Sequence, residues 1–251
     1  MRLLLSNDDG IGSPFLPIFA EELAKVAEVE IVVPAKEQSW VGRSYNRHGN
    51  LIVEERDFQG LKCRTITGTP SDCVNIALSH LYIDNLPDAV ISGLNIGQNI
   101  AFPLLWSSGT FSAAVEAAGR GLPAFACSMR LEKKFYEKCR LQHEPAPEEL
   151  CKYLRAASEH TARYIVDTLS KGVEKYEVHN LNYPANYLID TPFRECVPAR
   201  AELGSLYKKN DDDTFEFSYS MGKVLSSGSS LPTDLECLTA NEACVSRVKV
   251  M

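Results

Sequence analysis

The first ten residues constrain the fold more than any other stretch. Arg2 to Ser6 is a short leucine-rich run cut off by Asn7-Asp8-Asp9-Gly10, the pattern of a buried strand that ends in a polar turn. Ser13 can cap a following helix and Pro14 suits its first position, while Phe15, Ile18, Phe19, Leu23 and Val26 recur along one helical face. Glu30 to Val33 then reads as a second strand stopped by Pro34. Strand, helix and strand in that order make a right-handed βαβ unit. Asp8, Asp9 and the segment after Pro34 should therefore emerge together at the carboxyl edge of a parallel sheet, where open α/β folds bind ligands.

The same logic extends along the chain. Leu51 to Glu55 and Leu61 to Ile66 flank Gln59-Gly60 and resemble a hairpin, and Thr69-Pro70-Ser71-Asp72 opens a helix toward Tyr82 with a capping-box pattern. Asp88 to Ser92 is the next buried strand, closed by the polar loop Gly93 to Asn99. Ser107-Ser108-Gly109-Thr110 starts an alanine-rich helix that ends at Gly119 to Gly121, before a strand over Ala124 to Ser128. From Arg130 to Pro147 the chain turns polar, an insertion or flap whose basic residues Lys133, Lys134, Lys138 and Arg140 could guide anions, although a solvated helix face is the expected place for them. A helix over about 147–171 and a strand over Glu177 to Leu181 follow, after which helical periodicity disappears. With 251 residues, 45% of them hydrophobic, and no linker or repeat, one α/β domain with a β-rich appendage is the economical expectation.

Composition narrows the partners. Lys and Arg total 26 against 33 Asp and Glu, a net charge of −7, which argues against capture of polymeric nucleic acid or an anionic membrane. An anionic substrate therefore needs a local positive site. No apolar run reaches the roughly 18–20 residues of a spanning helix, and the first residues enter a strand without a signal-peptide pattern, so a cytoplasmic protein is expected. The eight cysteines are scattered without a CxxC, and the five histidines form no HExxH or HxH. They read as reduced thiols, with no spacing that supports a zinc site.

Chemistry concentrates in two places. Adjacent Asp8 and Asp9 repel each other unless a cation or hydrogen bonds offset the charge, and Mg²⁺ or Mn²⁺ prefers the oxygens that Asp8, Asp9, Ser39 and Asn95 could bring to that edge. Asn-Asp-Asp-Gly is equally good turn chemistry. Ser108-Gly109-Thr110 at a helix start offers amides and hydroxyls to a phosphate, although Ser and Thr there are also ordinary caps. Metal plus phosphate is favoured because three polar turns, around Asp8, Asn95 and Ser108, should meet at one sheet edge.

Ser6-Asn7-Asp8-Asp9-Gly10, Gln38-Ser39, Gly68 to Val74, Ser92 to Asn99 and Ser108-Gly109-Thr110 together resemble the SurE (survival protein E) family of 5′/3′-nucleotidases. The order and spacing match from residue 1 to about 130, and Asn180-Leu181-Asn182-Tyr183-Pro184 resembles the family's later Asn-x-Asn-x-Pro strand. The resemblance implies a Rossmann-like core, mostly parallel with helices on both faces, over about 1–182, and a β-rich extension over about 183–251 used in homodimer or homotetramer assembly. It implies one divalent ion per subunit held by Asp8, Asp9, Ser39 and Asn95, and a phosphate surrounded by Asn99, Ser108, Gly109 and Thr110. The chain departs from the family pattern at Ser107, at Phe111-Ser112 and in the tail Val245 to Met251.

The resulting expectation is a divalent-metal-dependent phosphohydrolase acting on nucleoside 5′- and, as an extension, 3′-monophosphates or other small phosphoesters by water attack, with Asp8 and Asp9 catalytic. Gly10 occupies the position where an aspartyl-phosphatase would carry its second carboxylate, so direct attack is preferred over a phosphoenzyme. A metal-dependent nucleotide-sugar transferase and a non-catalytic nucleotide-binding or assembly protein are the alternatives. Trp40, Tyr45 and Trp106 could stack on a base or cover apolar surface. Arg43 and Arg47 could meet phosphate from the Ser39 loop and His48 could serve as an acid, but all three are expected to be solvated.

Overall fold

A computed structural model of the chain describes residues 1–141, 144–188, 192–219 and 221–251. Gln142 and His143 of the 130–147 insertion, and residues 189–191 and 220 of the C-terminal extension, lie outside the described residues.

The opening unit is β1 (Arg2–Ser6), α1 (Leu16–Ala24) and β2 (Glu28–Pro34). Alternation along β1 sends Leu3 and Leu5 to one face and Leu4 to the other, each into a separate apolar cluster. Helix α1 starts later than the Ser13-Pro14 signal: the Ser13 hydroxyl only accepts from Phe15 N at 3.4 Å, no side chain caps the helix, and Pro17 takes the first-turn place. Next come the antiparallel pair β3 (Val53–Phe58) and β4 (Leu61–Ile66), then α2 (Pro70–Ile76). In α2 the Thr69 hydroxyl accepts from Asp72 N at 3.1 Å and the Asp72 carboxylate accepts from Thr69 N at 3.0 Å, the reciprocal cap expected from Thr-Pro-Ser-Asp. The helix continues through a wider turn to Leu81.

β5 (Ala89–Ile96), the single turn α3 (Phe102–Leu105), α4 (Gly109–Ala118), β6 (Ala124–Met129), α5 (Lys133–Tyr136), α6 (Glu148–Lys171) and β7 (Glu177–Tyr183) complete the core. The C-terminal part contributes β8 (Arg194–Cys196), β9 (Arg200–Leu203), β10 (Tyr207–Lys209), β11 (Phe215–Phe217), β12 (Met221–Leu225), α7 (Asp234–Thr239) and β13 (Cys244–Lys249). Helix α7 is absent from the periodicity reading, although Thr233 and Glu236 cap it reciprocally.

One nine-stranded sheet runs in the order β3-β4-β2-β1-β5-β6-β7-β13-β8. From β4 to β7 its neighbours are parallel; β3 is antiparallel to β4 and β13 to β7, while β8 pairs parallel with β13. Helices α1 and α6 pack together on one face, and α2 and α4 on the other. The chain leaves β1 toward β2 on one side and later fills β5, β6 and β7 on the other, so the topological switch lies between β1 and β5. β10–β11 and β9–β12 form two small antiparallel pairs outside the sheet, whereas β8 and β13 rejoin it.

Candidate active site

The Asp8-Asp9 turn sits at that switch. Asn7 folds it, its Nδ2 donating to Gly10 O at 3.1 Å and its Oδ1 accepting from Gly10 N at 3.0 Å. Gly10 has φ +76°, and a Cβ there would meet Lys36 C at 2.9 Å and Pro34 O at 3.0 Å, so only glycine lets the β2 exit lie this close. Gln38 N then donates to Asp8 O at 2.7 Å, which carries Ser39 to the carboxylates.

Each carboxylate has its own anchor. Asp8 Oδ1 accepts from the Thr110 hydroxyl at 2.6 Å, and Asp9 Oδ2 accepts from Ile96 N at 3.0 Å. Asn95, on the last turn of β5, donates its Nδ2 to Ser128 Oγ at 3.2 Å, which commits the amide nitrogen to the sheet and leaves Oδ1 as the donor atom for a cation. Asp8 and Asp9 are buried. Burial pushes the Asp8 carboxyl up, against the pull of the Thr110 hydroxyl and Arg140. Burial, then the neighbouring Asp8 charge, pushes Asp9 up to about 7. Two buried acids that resist ionisation, beside a hydroxyl and an amide oxygen, form an all-oxygen donor set that fits a hard divalent cation.

The phosphate candidates divide. Asn99 and Ser108 line one cleft of about 260 Å³ with Asp8, Ser39, Asn95 and Arg140. Gly109 and Thr110, fully enclosed, stand behind Asp8: a Cβ on Gly109 would meet Asp8 Cβ at 2.7 Å and Gln38 O at 3.1 Å. Ser108 spends its hydroxyl capping α4, accepting from Phe111 N at 3.0 Å. The N-terminus of α4 thus faces the Asp8 carboxylate first.

Asn99 is held differently. Asn182 Oδ1 accepts its N–H at 2.8 Å, and its carbonyl accepts from Asn180 Nδ2 at 2.8 Å and Asn182 Nδ2 at 2.9 Å. The Asn-x-Asn strand pair therefore clamps the backbone of the Asn99 loop. Among the described residues Asn99 Nδ2 is buried without a hydrogen-bond partner, a donor kept for something absent from the protein itself.

Arg140 is the residue that the sequence reading misplaced. It is largely buried, with Nη1 2.6 Å from Asp9 Oδ1 and Nη2 2.6 Å from Glu37 Oε1 while also touching Ser39 Oγ. It belongs to the cleft wall, not to a solvated helix face, because two buried carboxylates draw the available cation inward. Arg43 binds the buried Glu116 at 2.8 Å, where the Tyr45 hydroxyl also donates at 2.5 Å, so both brace α4 away from the cleft. Trp40 lines the cleft and packs on Phe217 (5.0 Å between ring centres) and Tyr219 (5.5 Å), while Trp106 packs on Phe111 at 6.1 Å.

A doubly wound sheet with paired carboxylates at its switch point, and a loop donor and a helix N-terminus beside them, defines a Rossmann-like α/β protein. The chain belongs to the SurE family: the family described as Survival protein SurE matches residues 3–202. A protein from Methanocella arvoryzae named 5′-nucleotidase SurE is 37% identical over 195 residues, 76% of this chain and 70% of that protein. One of the same name from Methanosarcina acetivorans is 32% identical over 79% of this chain and 73% of its own length. Another, from Methanopyrus kandleri, is 43% identical over 131 residues, where the match spans about half of each protein, 52% and 49%. The crystal structure of the SurE protein from Aquifex aeolicus has a TM-score of 0.77 over 100% of this chain and 94% of that one; at 20% identity it attests the shared fold.

Proposed function

We propose that this chain, a 5′-nucleotidase-class phosphomonoesterase by its family, hydrolyses nucleoside 5′-monophosphates, and 3′-monophosphates as secondary substrates, with one divalent cation held by Asp8, Asp9, Ser39 and Asn95. The observation that carries the reading is the cleft that Asp8 shares with Ser39, Asn95, Arg140 and Asn99, whose Nδ2 has no partner among the described residues, with the adjacent buried Asp9 bound to the same Arg140 at 2.6 Å. Bound Mg²⁺ or Mn²⁺ supplies Lewis acidity toward the phosphoryl group and acidifies water.

The chain's own groups do the rest. Asn99 Nδ2 donates to a phosphoryl oxygen, and its clamped backbone keeps that donor in place. Arg140 leaves Asp9 and Ser39 to pair with the phosphate dianion, which supplies the local positive charge that an anionic substrate needs on a chain of net charge −7. The Thr110 hydroxyl orients Asp8 and opposes the rise that burial causes in its pKa. A carboxylate oxygen of the Asp pair takes the proton of the attacking water, a role matched by an acid whose affinity for protons is raised by burial. The protein is one α/β domain whose 183–251 segment joins copies of the chain into a homodimer or homotetramer. Among the described residues no helix is long and apolar enough to cross a membrane.

The test is phosphate release from a panel of 5′- and 3′-nucleoside monophosphates with EDTA, Mg²⁺ or Mn²⁺, for wild type and Asp9→Asn. Metal-restored release in wild type, reduced at least about 10²-fold in the variant, equivalent to roughly 2.7 kcal/mol of transition-state stabilisation, is expected. Equal rates in both proteins would remove Asp9 from the site.

A further inference from the structure

The sequence spacing of the cysteines supports no zinc site, but the fold brings three of them together. Cys196 on β8, Cys237 on α7 and Cys244 on β13 are all buried, and their sulfur atoms lie within 4.8 Å of one another. We propose that these three thiols form a second metal site of this protein, for Zn²⁺, separate in place and chemistry from the oxygen-rich cleft and independent of the phosphohydrolase reading.

A zinc ion holds thiolate sulfur at about 2.3 Å, which sets the sulfurs of a tetrahedral site roughly 3.8 Å apart. The three side chains need to draw in by no more than about 1 Å to reach that spacing. A fourth oxygen donor is adjacent: the Asp234 carbonyl lies 3.9 Å from Cys244 Sγ. Its position is rigid, because the Asp234 carboxylate accepts the N–H groups of Ala101, Ala199 and Leu235 at 3.0, 2.9 and 2.8 Å. The walls are Ile100, Leu238 and Leu235, a dry shell that excludes competing water. Access is available from the side, since β8 is the last strand of the sheet.

Zn²⁺ suits this pocket better than Cu⁺. Binding breaks three S–H bonds and forms three Zn–S bonds, with three protons released to water, leaving a net charge of −1 with Zn²⁺ against −2 with Cu⁺. In an apolar pocket beside the Asp234 carboxylate the smaller residual charge is the one that can be held. Zinc also explains why these three sulfurs come from three different elements. It ties the edge strand, α7 and the returning β13 together behind Ala101, two residues from Asn99.

The experiment uses full-length, reduced protein carrying Asp8→Asn and Asp9→Asn, so that the oxygen-rich cleft cannot account for binding. Titration with Co²⁺ under anaerobic conditions should give a sulfur-to-cobalt charge-transfer band that saturates at one equivalent. Zn²⁺ should displace it, and Cys237→Ser should abolish it. A second measurement needs no variant: in wild type, loaded Zn²⁺ should slow alkylation of Cys196, Cys237 and Cys244 at least tenfold in mild denaturant, leaving Cys151 unaffected. A missing band together with unprotected thiols, or a band that persists in Cys237→Ser, overturns the proposal.

Discussion

Asp9 cannot sit ionised in a buried turn unless a cation answers it, and in this protein Arg140 does so from 131 residues away. Its guanidinium touches Asp9 and Ser39, two of the four groups expected to hold the divalent ion. Arg140 and the metal therefore compete for the same oxygens. Arg140→Met should tighten Mg²⁺ or Mn²⁺ binding in calorimetric titration of the substrate-free protein. It should also raise KM for a nucleoside monophosphate roughly ten- to a hundredfold, the loss of one charged hydrogen bond of about 1.5–3 kcal/mol. Unchanged metal affinity with unchanged KM would confine Arg140 to a structural ion pair. Asp8, Asp9, Ser39 and Asn95 were legible as candidates because strand ends and polar turns are local signals. Arg140 was not, since nothing in a lysine-rich stretch says which cation will find a buried carboxylate a hundred residues away. Gly109 is expected beside the phosphate, and in the fold Asp8 Cβ and the Gln38 carbonyl fill the space a side chain there would need.

At the scale of elements, the strands and helices that the sequence announces are those whose signals are short-range. The Thr69–Asp72 cap, the β3–β4 turn and the long α6 follow from local pattern. Helix α7 has a cap as good as that of α2, yet only six residues, too few for an apolar stripe to recur. The packing of α6 on β7 is another long-range outcome, and it has a pH signature. His160 of α6 is stacked against Phe193 at 4.1 Å between ring centres and 13°, with Nδ1 2.5 Å from the Tyr187 hydroxyl. Burial, aided by Arg163, lowers its pKa to about 4. A histidine depressed from 6.5 in the unfolded chain stabilises the fold fully above that value and loses the contribution as pH falls toward 4. At pH 5.5 the loss is about 1.4 kcal/mol by linkage. His179, lowered to about 4 by burial and Arg247, adds to the same loss. Urea denaturation at pH 7.5 and 5.5 should therefore show a loss about 1.4 kcal/mol smaller in His160→Phe, which keeps the stack and removes one titration, than in wild type. An identical pH dependence in both proteins would place the proton uptake elsewhere.

For the whole molecule, the main question is what the two small β pairs are for, since they leave the sheet and return to it without adding to either apolar layer. Tyr207 and Phe217 are register partners, and Phe215 shares their face of the β10–β11 pair by strand alternation. Phe215 is 65% exposed, Tyr207 57% and Phe217 46%, while Val224 and Leu225 of β12 add further uncovered apolar surface. A run of aromatic side chains on a projecting ribbon is poor design for a free surface and good design for one that a second copy covers. Trp40 already meets Phe217 at the inner end of that ribbon. A second copy seated on the ribbon, as proposed, would therefore also press on the loop that carries Ser39 and so link assembly to the cleft. Phe215→Glu, at the outer end and away from Trp40, should shift the wild-type oligomer down by one step in light scattering coupled to size exclusion, from tetramer to dimer or from dimer to monomer. KM should rise a few-fold in the same variant, with less change in kcat, because the ribbon loses its seat while the carboxylates keep theirs. A wild-type protein that is monomeric at micromolar concentration, or a variant with unchanged assembly, would leave the aromatic face without its partner and the link to the cleft without support.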